Sequence, residues 1–253
     1  MDWTPHEMMV VTASRELADH DVVFVGIGLP NMACNLARLT HAPNLVMVYE
    51  SGVIGSRPAR LPLSIGDPTL VAGSLMVCGM ADVFHMLLQG GRIEVGFLGG
   101  AQVDRFGNIN TTVVGDYSQP RVRLPGSGGA PEIAIHAKRT LVIARLDRRA
   151  FPEQVDFITS PGHRMRGRSR GELGMPGSGP VRVITDLGTL AANPETGELE
   201  LESIYPGVSV DDVRSRIGWD LVVRDPVKTT NPPREYDLRL LRDVVDPNGS
   251  LPR

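Results

Sequence analysis

The sequence predicts an α/β protein: an open, mostly parallel sheet flanked by helices, with antiparallel strands toward the C-terminus. Three observations carry this expectation. Residues 22–25, 31–40 and 45–48 read strand, helix, strand, the pattern of a parallel pair with a crossover helix. The apolar runs 45–48 and 93–98 are short, rich in β-branched residues and end on glycine turns, as buried strands do. Residues 181–185, 188–191 and 198–202 alternate around Asn193-Pro194, which marks antiparallel strands. At 253 residues the chain is expected to form a single domain over 1–253.

Taken in order, Thr4-Pro5-His6-Glu7 opens the first helix. Thr4 caps it, Pro5 takes its first position and Glu7 completes a capping box. Met8, Val11 and Leu17 give its apolar face. The strand 22–25 then ends in Gly26-Ile27-Gly28-Leu29-Pro30 and a helix runs from Asn31 to Thr40. The strand 45–48 stops at Tyr49-Glu50-Ser51-Gly52. In 52–79, Pro58, Pro62, Gly66, Pro68 and Gly73 break any period, so a long loop is expected. A short helix over 81–89 ends at Gly90-Gly91. The strand 93–98 opens onto Gly99-Gly100-Ala101-Gln102. A turn over 103–108 feeds one strand over 109–114. Pro125-Gly126-Ser127-Gly128-Gly129-Ala130-Pro131 precedes a helix over 131–136, and a strand covers 140–144. Residues 160–180 read as a surface loop. Ser209 caps a helix with Asp211 and Asp212 in its first turn, where the helix dipole favours carboxylates. Asn231-Pro232-Pro233 starts a last helix over 234–245.

Composition excludes several classes. A net charge of −3 provides no basic footprint for nucleic acid. No apolar run has the length of a membrane span. The first residues lack a basic-then-apolar leader, so the expected location is the cytoplasm. Cys34 and Cys78 lie in apolar segments and read as buried free thiols of a reducing compartment. No Cys or His spacing suits a metal, so none is expected.

Glu50 sits where an open α/β sheet collects its chemistry, just past the carboxyl end of a strand. A carboxylate there is either a hydrogen-bonded structural group or a nucleophile or base. Gly26-Ile27-Gly28 after a strand suggests a dinucleotide fingerprint, but Asn31 occupies its last glycine position, so that reading fails. Gly126-Ser127-Gly128-Gly129 before a helix fits an anion or oxyanion pocket of backbone amides, and fits equally a turn that needs positive φ. The basic run 164–170 reads as a solvated loop rather than a phosphate contact. His85 and His136 have no evident partner and read as structural.

Four motifs occur in order: Gly26-Ile27-Gly28-Leu29-Pro30, Tyr49-Glu50-Ser51-Gly52, Phe97-Leu98-Gly99-Gly100-Ala101-Gln102-Val103-Asp104 and Gly126-Ser127-Gly128-Gly129-Ala130. As a set they resemble the B (β) subunit of a class I coenzyme A transferase, in the glutaconate and 3-oxoadipate branch. The resemblance continues through Thr159-Ser160-Pro161-Gly162 and Ile184-Thr185-Asp186-Leu187-Gly188. It implies that family's subunit fold, a partner A (α) subunit of similar architecture, and an α2β2 or larger assembly. It places the nucleophilic glutamate of the family on Glu50, with CoA entering as a thioester substrate and no bound cofactor. Gly128 and Gly129, with Gln102, are then candidates for the oxyanion hole. Ser51 and Gly52 would let substrate approach, and Gly26 and Gly28 would line the pocket as backbone. Arg57, Arg60 or Arg105 could hold a distal carboxylate of the acid. Two alternatives stand beside transfer: an acyl-CoA hydrolase or decarboxylase on the same scaffold, and a non-catalytic subunit.

Overall fold

The structure, a computed structural model, describes residues 2–250, so the ends of the expected 1–253 domain, Met1 and residues 251–253, lie outside it. The chain divides into two compact units: residues up to Phe97 together with those from Pro232 onward, and Leu98–Asn231.

In the first unit, helix α1 (Pro5–Arg15) begins at the expected capping box. Thr4 Oγ1 accepts from the Glu7 amide at 3.2 Å and the Glu7 carboxylate accepts from the Thr4 amide at 2.8 Å. Strand β1 (Val22–Phe24) leads into α2 (Leu29–Thr40), and the chain returns through β2 (Val46–Val48). Helix α2 starts two residues earlier than the sequence predicts, because Gly28 takes the N-cap with φ +80°. Residues 52–79 are not one loop. They form β3 (Val53–Ile54), a 3-10 turn at Pro68–Val71 and β4 (Met76–Val77). Helix α3 (Met80–Asp82) runs on into a π-helical turn over Val83–Leu88, and β5 (Val95–Leu98) follows. The strand order here is β5-β1-β2-β3-β4. β1 pairs in parallel with β2 and β5, while β3 and β4 are antiparallel additions at the edge. α1 buries Met8, Met9, Val10 and Val11, and α2 buries Met32, Cys34 and Leu36. The C-terminal helix Glu235–Leu240, extended by a π turn over Leu241–Val245, completes this unit. Arg242 grips Glu7 there through two bonds of 2.6 and 2.9 Å.

In the second unit, β6 (Gln102–Val103) and β7 (Ile109–Asn110) form a hairpin around Asp104. Asp104 Oδ1 accepts from the Phe106 and Asn108 amides, both at 3.0 Å. The single strand predicted over 109–114 is broken. Asn110 Oδ1 accepts from the Thr112 and Val113 amides, a side-chain turn that ends β7 and starts β8 (Val113–Gly115). β8 pairs with β9 (Pro120–Arg123). Then come α4 (Ala130–His136), β10 (Arg139–Ile143), a small hairpin of β11 (Arg164–Met165) and β12 (Arg168–Ser169), and β13 (Pro180–Ile184). β14 (Gly188–Ala192), β15 (Leu199–Ile204), α5 (Val210–Arg214) and β16 (Val223–Thr229) follow. The strand order is β16-β15-β14-β13-β10, with β14 antiparallel to both neighbours as its alternation predicts. β10 and β13 pair in parallel, as do β15 and β16.

The predicted loop 160–180 hides a structural cation. Arg170 is buried and donates to the carbonyl oxygens of Gly177, Gly162 and Ala134 at 2.8, 3.1 and 2.8 Å. Burial pulls its pKa down to about 10. It ties three segments together and is not a solvated member of the basic run.

Candidate active site

Glu50 lies two residues beyond β2, at the carboxyl end of the parallel pair β1–β2. The pairing runs right up to it, with the Val25 amide bonded to the Val48 carbonyl at 3.0 Å. The chain then reverses. The Gly52 amide donates to the Tyr49 carbonyl at 3.0 Å and the Tyr49 amide to the Val53 carbonyl at 2.9 Å. Gly52 is obligatory here. Its φ is +101°, and a Cβ on it would stand 1.9 Å from the Cys78 carbonyl oxygen. The turn thus presents Glu50 on a rigid, sharply bent backbone.

Beneath it the side chains are locked. Tyr49 is fully buried, its hydroxyl accepts from Asn31 Nδ2 at 2.6 Å, and burial pushes its pKa up to about 12. Asn35 Nδ2 donates to Asn31 Oδ1 at 2.9 Å, so α2 and the turn share one polar network. The Glu50 carboxylate takes no part in it. Half-buried, it makes no hydrogen bond or ion pair among the described residues. The fold does not use this carboxylate to tie its segments together, unlike those of Asp67 or Asp104. Ser51 Oγ is buried and also lacks a partner among the described residues. Gly26 and Gly28 occupy the loop between β1 and α2, and a Cβ at either would meet nothing within 4 Å. They leave space rather than close it.

Gln102, Gly128 and Gly129 belong to the second unit. Gln102 is buried. Its Oε1 accepts from Asn110 Nδ2 at 2.7 Å and from the Asp156 amide at 3.1 Å, and its Nε2 donates to Asp156 Oδ2 at 3.2 Å. One amide hydrogen remains for any other acceptor. Gly128 has φ +47° and Gly129 caps α4, a helix of seven residues. The Gly128 and Gly129 amides carry no hydrogen bond among the described residues.

The three arginines singled out in the sequence differ in their freedom. Arg60 is clasped by Asp67 through bonds of 2.7 and 3.0 Å, and Arg105 faces Glu153 at 3.4 Å and Glu198 at 3.7 Å. Arg57 is exposed and meets no carboxylate among the described residues. His136 stands 3.2 Å from Glu132, its neighbour one turn away, and His85 is exposed. No group of three or more His, Cys, Asp or Glu among the described residues could hold a metal ion. No helix among them is long and apolar enough to cross a membrane. Sequence reading missed Asn31, Asn35 and Asp156. The pair Asn31 and Asn35, one turn apart on a helix that opens on the Gly26–Gly28 loop, was the available signal.

A parallel strand ending in an unpaired carboxylate on a glycine-locked turn is the place where open α/β enzymes gather their chemistry. The chain belongs to the coenzyme A transferase family, whose model matches residues 6–216. It is similar to the B (β) chain of 3-oxoadipate CoA-transferase from Pseudomonas knackmussii, at 51% identity over 95% of this chain and 92% of that one. Its fold matches glutaconate coenzyme A-transferase from Acidaminococcus fermentans, with a TM-score of 0.91 and 32% identity over 99% of each chain. It also matches the decarboxylase AibA/AibB, with a TM-score of 0.85 and 27% identity over 98% of this chain and 97% of that one.

Proposed function

We propose that this chain is the β subunit of a transferase that moves CoA from an acyl-CoA to a free carboxylic acid through a thioester on Glu50. The observation that carries the reading is the unpartnered, half-buried Glu50 carboxylate on the Tyr49–Gly52 turn. A dicarboxylic or oxo acid is the proposed acceptor, in keeping with the relatives named for 3-oxoadipate and glutaconate. The proposed assembly is α2β2 or larger, in the cytoplasm, with a partner α subunit.

The chemistry runs in balanced steps. A Glu50 carboxylate oxygen attacks the thioester carbonyl carbon, the C–S bond breaks, and CoA leaves as thiolate. The product is a mixed anhydride between Glu50 and the acyl group. The thiolate then attacks the Glu50 carbonyl carbon, the donor acid departs as carboxylate, and a glutamyl-CoA thioester remains. The acceptor carboxylate takes CoA by the reverse of these steps. The anhydride conserves the thioester's free energy, so the route asks for no bound cofactor. Each tetrahedral intermediate carries an oxyanion. Preorganised amide donors would stabilise it, each typically worth about 3–4 kcal/mol. Water competes for the anhydride. Closure by the partner subunit together with the 52–79 segment, whose Leu63, Leu75, Met76 and Val77 are exposed, would exclude it.

The test is intact mass on the chain co-purified with its partner, incubated with an acyl-CoA and no acceptor. A CoA-sized adduct on the peptide holding Glu50 is expected in the parent and not in Glu50→Gln. The likeness to AibA/AibB favours a second reading, decarboxylation or hydrolysis on this scaffold. Steady release of free CoA or carbon dioxide with no adduct would establish that reading instead.

A further inference from the structure

Glu50 is aimed by backbone alone, because its side chain makes no bond among the described residues. It and Ser51 are the two central residues of a turn closed by the Gly52 amide on the Tyr49 carbonyl, at 3.0 Å. The turn has two feet, and each is gripped differently. At one foot Gly52 abuts the backbone of Cys78, whose amide donates to the Gly52 carbonyl at 3.0 Å. At the other foot the grip is a side chain. Tyr49 is fully buried, and its hydroxyl accepts from Asn31 Nδ2 at 2.6 Å. Asn31 is buried too, in the first turn of α2. Asn35, one turn further on, donates through Nδ2 to Asn31 Oδ1 and to the Asn31 carbonyl, each at 2.9 Å. That contact decides which way the Asn31 amide faces. Flipped, it would set Nδ2 against Asn35 Nδ2, donor against donor. With Oδ1 committed to Asn35, Nδ2 is turned to Tyr49. The Tyr49 proton is left to Met47 Sδ, a weak acceptor at 3.6 Å. A single amide orientation bonded to a hydroxyl in a dry core makes a stiff link.

We propose that Asn31 and Asn35 are positioning residues for Glu50: through the Tyr49 hydroxyl they fix one foot of the turn, and so the place from which the carboxylate attacks. The inference rests on the transferase reading and adds residues that act through another. Three features favour it over plain core packing. Apolar side chains of similar volume would fill this space without burying two amides and a phenol. The network ends on the residue next to the unbonded carboxylate, not on a second core element. It is mounted on α2, whose Met32, Cys34 and Leu36 are packed into the core, and a rigid element is the base that precise placement needs. The link also holds at any working pH, since burial keeps the Tyr49 phenol neutral up to about 12.

The test uses the chain co-purified with its partner. Tyr49→Phe deletes the hydroxyl and keeps the ring, so it reads the link even where a harsher variant does not fold. It should slow both kcat and formation of the CoA adduct on the Glu50 peptide by about tenfold or more, inside the roughly hundredfold cost of a misplacement of about 1 Å. KM for both substrates should stay within about twofold of the parent. Asn31→Leu should behave alike, and the double variant should be no slower than the slower single one, since both remove one link. Asn31→Asp, whose oxygens can accept from Tyr49 and from Asn35, should recover part of the loss. Arg242→Ala, which loosens the C-terminal helix from α1, supplies the comparison for stability: it should lower Tm without slowing the adduct. A parental adduct rate in Tyr49→Phe would overturn the proposal. So would losses that multiply in the double variant, or a loss carried by KM alone, which would make Asn31 a substrate contact. An equal slowing in Arg242→Ala would reduce the network to core packing. Absence of the adduct from the parent would sink the transferase reading itself, whereas an adduct formed equally fast in parent and Tyr49→Phe would sink the positioning role alone.

Discussion

The reach of one carboxylate governs whether Glu50 can serve as nucleophile. Glu50→Asp shortens the side chain by one methylene on a turn that cannot follow, because Gly52 is fixed against Cys78. Misplacement by about 1 Å is worth on the order of a hundredfold in rate, so transfer should fall by that order, with residual turnover leaning to hydrolysis. Steady-state rates with and without acceptor measure both. Transfer at the parental rate would remove Glu50 from the mechanism. Gly52→Ala tests the turn itself. The Cβ meets backbone, so we expect destabilisation of about 3 kcal/mol or more, read as a lowered Cm in urea. The thiols give a third check. Cys34 is fully buried and its pKa is pushed far up by burial, while Cys78 is only half-buried and its thiol donates to the Gly52 carbonyl at 3.5 Å. Native alkylation should therefore mark Cys78 and spare Cys34, with peptide mass as the readout. At this scale the sequence shows Glu50 and Gly52, since strand end, carboxylate and glycine are consecutive. It does not show the bonds Asn31 to Tyr49, Gln102 to Asp156 or Arg170 to Ala134, whose partners lie 18, 54 and 36 residues apart.

Elements with local chemistry were legible. Thr4 and Ser209 cap as read, each with its reciprocal carboxylate, Glu7 and Asp212. Elements that depend on distant pairing were not. β16 carries Pro226, which argues against a strand, yet it stands at the end of its strand order, where a missing amide goes unneeded. β3 and β4 are two residues each and exist because β2 offers an edge. α1 illustrates both kinds. Its cap is local, but Glu7 also receives Arg242 from 235 residues away. Burial alone would raise the Glu7 pKa, and the bond from Arg242 together with the Thr4 bonds outweighs it, so the net shift is downward. A carboxylate lowered on folding stabilises the fold above its ordinary value of 4.5 and loses that contribution as pH falls through the acid range. Arg242→Ala should cost about 1–3 kcal/mol near neutral pH, or a few degrees of Tm, and the difference from the parent should shrink toward pH 3. Thermal melts across pH check this, and a constant difference would contradict it.

On the scale of the whole molecule, the mixed sheet class was visible from strand periodicity and the β-α-β order, and the ordered glycine motifs pointed to the family. The division at Phe97 and Pro232 was not read, because the Gly99-Gly100 and Asn231-Pro232-Pro233 clusters beside it serve equally as an ordinary turn and a helix start. Surface character was also hidden. Leu63, Leu75, Met76, Val77, Met80 and Met86 are 85, 74, 55, 55, 52 and 65% exposed, gathered in one stretch, whereas the other exposed large apolar residues are scattered along the chain. Such a patch is at odds with a lone monomer. Purified without its partner, the chain should self-associate as concentration rises, seen by light scattering. With the partner, amides over 63–80 should gain protection from hydrogen exchange. Equal protection in both preparations would place the partner elsewhere.

The first unit is assembled from two stretches of chain, and the second of them, from Pro232, is made after the whole of the other unit. During vectorial synthesis the Leu98–Asn231 stretch is complete before the C-terminal helix has emerged and before Arg242 can reach Glu7. Val244 and Val245, which pack behind α2, are missing until then as well. A ribosome-bound chain therefore carries the Glu50 peptide before the first unit is closed. A nascent chain stalled short of that helix should leave α1 open to protease, because the Arg242 bond to Glu7 has not yet formed.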